Sequence, residues 1–179
     1  MLSLPTDLDA MDYSVQRVYV NGMMKLIARL LQAESAVDDE IKQEVSALPD
    51  GFVFRMEAIP GTPCMMVQVR DGGLHVLPDS SPIKPNLTIR FKHVTHAFLV
   101  LAFQEGTATA YANDRILIDG DPGLAMKVVR CLNRVQAIAL PKVIAEKAVK
   151  TYPDLKLGDK LQVSLKTYGK LVLNLAKEI

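Results

Sequence analysis

The chain has 179 residues, 49% of them hydrophobic, with 21 Lys and Arg against 20 Asp and Glu and a formal net charge of +1. That length supports one full domain whose core needs no disulfide or metal staple. The near-neutral balance argues against the electrostatic footprint of a nucleic-acid binder, and no run approaches the roughly 18 uninterrupted apolar residues of a membrane span. Cys64 and Cys131 stand alone in apolar runs and read as small hydrophobes. The first residues carry Asp7, Asp9 and Asp12 rather than a basic start followed by an apolar stretch, so no leader pattern is visible and a cytoplasmic protein is expected.

Residues 12–33 read as a long helix. Ser14, Arg17, Asn21, Lys25, Ala28 and Gln32 recur at three- and four-residue steps, leaving a broad apolar face of Val15, Val18, Tyr19, Met23, Leu26, Ile27 and Leu30. Asp12 is placed to cap it. A shorter helix is predicted over residues 35–48, ended by the turn signal Pro49-Asp50-Gly51.

The period then changes to two. Phe54, Met56 and Ala58 alternate with Val53, Arg55 and Glu57, and Met65, Val67 and Val69 alternate with Met66, Gln68 and Arg70. Leu74 and Val76 flank His75, while Leu87, Ile89 and Phe91 alternate with Thr88 and Arg90. Pro60-Gly61, Asp71-Gly72-Gly73 and the loop 78–85 separate these runs. The pattern predicts a meander of half-buried antiparallel strands, apolar on one face and polar on the other.

Residues 94–104 return to helix, with Glu105-Gly106 as the stop. A helical turn at 107–112 leads into a fifth strand, 115–119, carrying Ile116 and Ile118. Gly120-Asp121-Pro122 closes the strand and opens a helix, with Asp121 as N-cap and Pro122 at the first helical position. This helix is apolar at Leu124, Val128, Cys131, Leu132 and Val135. Its basic stripe, Lys127, Arg130 and Arg134, lacks interleaved aromatics and reads as a solvated face. Pro141 interrupts the pattern, and further helices are predicted at 142–150 and 159–177, the latter with a Leu161, Leu165, Tyr168, Val172, Leu175 stripe. After Pro141 eight lysines face only Glu146, Asp154, Asp159 and Glu178. That basic tail fits either an anionic lipid surface or a solvated helix face.

The expected fold class is α+β: a five-stranded, mostly antiparallel sheet with helices packed on one face and extra helices at both ends. A search for chemistry finds little. His93 and His96 share a helix start but lack further zinc ligands at suitable spacing and read as turn and cap residues. Asp119-Gly120-Asp121 reads as a strand-to-helix turn rather than a calcium loop. No P-loop, GxGxxG, GxSxG, SxxK or HExxH pattern is present. Eight Met and several wide helical apolar faces point instead to surplus apolar surface around one small sheet.

Several segments, taken in order, resemble the sterol carrier protein 2 lipid-binding domain over residues 51–135. They are the strand Gly51-Phe-Val-Phe-Arg-Met, the hairpin Val69-Arg-Asp-Gly-Gly-Leu-His-Val and the strand Lys84-Pro-Asn-Leu-Thr-Ile-Arg-Phe. After these come the helix at 98–106 and the run Ile116-Leu-Ile-Asp-Gly-Asp-Pro-Gly-Leu-Ala-Met-Lys-Val. On this resemblance the chain is one domain, with a helical extension at 1–50, a lipid-binding core at 51–140 and a basic helical tail at 141–179. Pro60-Gly61-Thr62-Pro63 lengthens the first hairpin.

The resemblance implies a hydrophobic tunnel between sheet and helices that binds fatty acyl, phospholipid, sterol or isoprenoid lipids, with no cofactor, no metal and no catalytic residue. Inward strand positions would line it: Phe54, Met56, Met65, Val67, Val69, Leu87, Ile89, Phe91, Ile116 and Ile118. Phe98, Leu101, Leu124, Val128 and Leu132 would complete it from the helices. Two roles follow from the family. One is binding and transfer of lipid; the other is a non-catalytic accessory that presents a lipid intermediate to partner enzymes, as in isoprenoid-quinone synthesis.

Overall fold

The computed structural model describes residues 12–59 and 63–139. Helix α1 spans Tyr13–Glu34, and the Asp12 carboxylate accepts from the Ser14 N–H at 3.3 Å, the predicted cap. Its buried stripe is Val20, Met24, Ile27, Ala28, Leu30 and Leu31, whereas Val15, Val18 and Leu26 are exposed. The sequence-predicted face is therefore rotated. Apolar residues stand on two sides of the helix, exposed at Val15, Val18 and Leu26 and buried along the stripe, so periodicity alone could not choose which side meets the core.

Helix α2, Asp39–Ser46, begins later than predicted because Asp38 is its N-cap, accepting from the Ile41 N–H at 2.9 Å. Ser35 belongs instead to the end of α1, where its hydroxyl donates to the Gln32 carbonyl at 2.9 Å. Helix α3, Val94–Leu101, is capped by the His93 ring, which accepts from Thr95 N–H. It stops short of Gln104 because Phe103 adopts φ +60°, outside the helical basin. Helix α4 is Thr107–Ala112 and α5 is Pro122–Ala139. Asp121 accepts from Leu124 N–H at 2.9 Å, the expected cap for α5. The helices predicted at 142–150 and 159–177 lie outside the described residues.

Five strands, β1 Val53–Ala58, β2 Cys64–Arg70, β3 Gly73–Leu77, β4 Leu87–Phe91 and β5 Ile116–Asp119, form one sheet in the order β3-β2-β1-β4-β5. The sheet is mostly antiparallel, but β4 runs parallel to β1, so the first four strands are not a simple meander. The chain returns from the β3 edge across the sheet, and Asn86 fixes its re-entry. The Asn86 side chain accepts from Val53 N–H at 2.9 Å while its own N–H donates to the Val53 carbonyl at 2.8 Å. The β2–β3 turn has Asp71 at φ 53° and Gly72 at φ 73°, the doubly left-handed hairpin geometry that matches strand twist.

The two faces of the sheet differ. The inner face joins the apolar stripes of α1, α3 and α5 in one buried cluster. The second face is not simply polar, since Val53, Cys64 and Met66 on it are also buried. Its charged centre is Glu57, which accepts at 2.6 Å from both Arg55 and Arg90. Burial pushes the Glu57 carboxyl up, but the hydrogen bonds from Arg90 and Arg55 outweigh it and hold the group below its ordinary value.

Candidate functional site

The register stacks the inner face in rows. Val76, Val67, Phe54 and Leu87 align across four strands, and Met65, Met56, Ile89 and Ile118 form the next row. Ala58, Phe91 and Ile116 make a third, while Val69 pairs with Leu74 at the far end. The alternation that the sequence displays thus becomes a continuous apolar floor.

Of the strand positions named from the sequence, Phe54, Met56, Met65, Val67, Val69, Leu87, Ile89, Phe91 and Ile116 are buried. Ile118 shares the floor by register but is 36% exposed at the sheet edge. From the helices, Phe98, Leu101, Val128 and Leu132 are buried in the same cluster, and Leu124 packs against it half-buried. The predicted residues are brought together. A dense core and the wall of a lipid site are made of these same residue types, so burial describes the layer without choosing between them.

Sequence reasoning missed the contribution of α1 to this layer. Val20, Met24, Ile27 and Leu31 lie in the cluster. The Tyr19 ring meets Phe98 edge-on at a centroid distance of 5.3 Å, and its hydroxyl donates to the Leu101 carbonyl at 3.3 Å. The available signal was apolar residues on two sides of the helix, which says that it is buried but not which side.

A concavity lies away from this layer. A groove of about 600 Å³ runs between α1 and the start of β2, lined by Tyr13, Arg17, Val18, Lys25, Cys64 and Asp79 among others. None of the sequence-predicted lining residues borders it.

At the opposite end of α1 sits a buried polar cluster. Glu34 is fully buried, and neither carboxyl oxygen has a hydrogen-bond partner. Burial pushes its pKa to about 9, Asp38 adds to the rise and Arg134 opposes it, so Glu34 is a neutral acid at pH 7. Asp38 is itself buried and accepts from Arg134 Nη2 at 2.9 Å and Nε at 3.2 Å. Arg134 is only 11% exposed and is therefore not part of a solvated basic face, unlike the expectation from the sequence. Its partner Asp38 is far away in sequence, which no helical pattern could reveal. Arg130 likewise pairs with Glu44 at 3.1 Å, so α5 is clamped to α2.

Catalytic features are sparse. Burial raises the pKa of both Cys64 and Cys131, the latter to about 12, so neither is a thiolate at neutral pH. His96 lies within α3, where burial first and the neighbouring Arg115 cation next depress its pKa. Among the described residues, no group of three His, Cys, Asp or Glu is placed to hold a metal ion. Among them too, no helix is long and apolar enough to cross a membrane.

These features define a two-layer α+β module whose concentrated property is an apolar interlayer between a mixed sheet and its helices. The model of the SCP-2 sterol transfer family matches residues 27–133, and the chain belongs to that family. The match begins inside α1, ahead of the residue-51 boundary drawn from the sequence. No curated protein matches the sequence.

Among solved structures, the chain is similar to the UbiJ-SCP2 ubiquinone synthesis protein, with 14% identity and a TM-score of 0.46 over 68% of this chain and 98% of that one. It is also similar to the sterol carrier protein domain 2 of Helicoverpa armigera, at 16% identity and TM-score 0.46 over 62% and 85% of the two chains. Sterol carrier protein 2 like 2 from Aedes aegypti gives 15% identity and TM-score 0.42 over 64% and 96%. At such values the three likenesses carry no argument, and the family assignment rests on the matched segment.

Proposed function

We propose that the chain is a non-catalytic lipid-binding protein of the cytoplasm, taking up an apolar chain between the inner face of its sheet and α1, α3 and α5. Membership of the SCP-2 sterol transfer family supports this reading, and the observation that carries it is the unbroken apolar floor running across the strands. The proposed lining is the set of inward strand and helix residues given above, extended by the α1 stripe. Residues 1–179 would form one domain in which residues 141–179 are an addition to the matched segment.

The energetics are adequate. Each buried methylene contributes about 0.8 kcal/mol, so a sixteen-carbon chain gives roughly 12 kcal/mol gross. Association and ordering costs of at least several kcal/mol bring this towards micromolar affinity, which allows both capture and release. No buried charge or cofactor is needed for such binding.

Native mass spectrometry of the protein purified from its own host is the first test, with a co-purifying lipid as the expected result. Val67 lies mid-floor between Phe54 and Val76, so Val67→Trp should lower lipid uptake at least roughly tenfold while costing no more than the about 1–3 kcal/mol of an overpacked but folded layer. If the variant unfolds and lipid uptake shows no separate loss, Val67 sits in filled core and the proposed site is not there.

A further inference from the structure

From the orphaned acid at the end of the apolar layer, we infer that Glu34, with Arg134 beside it, anchors an uncharged hydrogen-bonding head group, a hydroxyl or carbonyl, of the bound lipid. This inference rests on the lipid-binding reading above and specifies which amphipathic lipids that site prefers.

The first support is position. Glu34 follows Ile27 and Leu31 at helical spacings of seven and three residues, so it continues the stripe of α1 that packs into the apolar cluster. The layer is apolar along this stripe until it reaches the corner where α1 passes into α2 and α5 lies alongside. A tail laid along the floor would meet its first polar groups there.

The second support is unmet hydrogen-bonding capacity. Both Glu34 carboxyl oxygens and Arg134 Nη1 are buried without a hydrogen bond. Arg134 Nη1 lies 3.2 Å from Glu40 Oε2, but outside hydrogen-bond geometry. Buried polar atoms left without a hydrogen bond cost about 1–3 kcal/mol each, so the two Glu34 oxygens, beside an Arg134 Nη1 held only as an ion pair, make a place that gains by receiving a polar group.

The third support is charge. The Arg134 cation is already matched by the buried Asp38 carboxylate, and the Glu34 acid is neutral at pH 7. The buried corner therefore has no net charge to offer, and an added carboxylate or phosphate would face Asp38 and Glu34 with no spare cation. A protonated acid and a guanidinium N–H can instead donate to a hydroxyl or carbonyl oxygen, and the acid's carbonyl oxygen can accept from a hydroxyl.

Displacement of a pyrene-labelled alkane from the full chain tests this. Dodecanol and dodecanoate are compared at pH 7.5 on wild type, Glu34→Leu and Glu34→Gln. Wild type should prefer dodecanol by roughly tenfold, as one buried hydrogen bond implies. Glu34→Leu should weaken dodecanol roughly tenfold while leaving the labelled alkane bound as in wild type, and Glu34→Gln, which keeps a donor and an acceptor, should hold dodecanol as wild type does. An equal or reversed preference in wild type, or a dodecanol affinity unchanged in Glu34→Leu, overturns the inference while lipid binding stands. Failure of wild type to bind even the labelled alkane removes the lipid-binding reading itself, and the two failures are thereby distinct.

Discussion

Glu34 is the residue whose environment most strongly opposes its chemistry. Its folded-state pKa of about 9 stands above the ordinary 4.5, so the folded protein holds a proton that the unfolded chain releases. The sign follows: this contribution to stability is fully present below about pH 4.5 and is lost as pH rises towards 9. Across that window the group costs up to about 1.4 kcal/mol per pH unit. Glu34→Gln removes the titration, so urea melts should show a flatter pH dependence and a gain of at least about 2 kcal/mol at pH 8. Parallel curves for variant and wild type would mean that Glu34 ionises normally in the fold.

Gly120 presents a steric constraint of the same local kind. It adopts φ +136°, and a Cβ there would lie 2.7 Å from the Asn86 carbonyl oxygen, a backbone atom that cannot swing away. Gly120→Ala should therefore cost about 2–3 kcal/mol and loosen β5 against β4. A variant melting within a degree of wild type would contradict that. The glycine was legible as a turn residue in the sequence; the contact with Asn86, brought close by sheet pairing, was not.

At the scale of elements, the sheet protects one edge through α1. The outward N–H groups of Leu74 and Val76 on β3 donate to Ser35 Oγ and Gln32 Oε1, both at 3.0 Å. The end of a helix thus supplies acceptors that a sixth strand would otherwise offer. Ser35→Ala and Gln32→Ala should each cost about 1–2 kcal/mol, with hydrogen exchange faster at Leu74 and Val76 respectively and little changed in β1. Uniform acceleration across the sheet would instead indicate global destabilisation.

The elements themselves were readable to different degrees. Strands were plain because a half-buried strand must alternate, and α4 and α5 were bounded by Gly106 and Asp121-Pro122. The start of α2 was misplaced because Ser35 and Asp38 are both good cap residues, and only the contact of Ser35 with β3 settles which one serves. The buried face of α1 was misread for a related reason: apolar residues on two sides leave the choice to its neighbours.

For the whole molecule, the proposed lipid site depends on an assembly property. Phe54, Phe91 and Phe98 come from β1, β4 and α3, and all are nearly inaccessible. On the proposed reading the helical layer would part from the sheet to admit lipid, and the response to Val67→Trp measures whether that layer accommodates a guest.

By itself the sequence determined the α+β class, the five strand positions, most caps and which strand residues face inward, Ile118 at the half-exposed edge included. Each of these follows from local rules: period-two or helical alternation, turn chemistry and capping by neighbours a few residues away. The tertiary structure alone decided that β4 enters beside β1 in parallel, which side of α1 is buried, and that Glu34, Asp38 and Arg134 share one corner. Those choices depend on contacts between residues distant along the chain, where packing and desolvation select among arrangements that local pattern leaves equivalent.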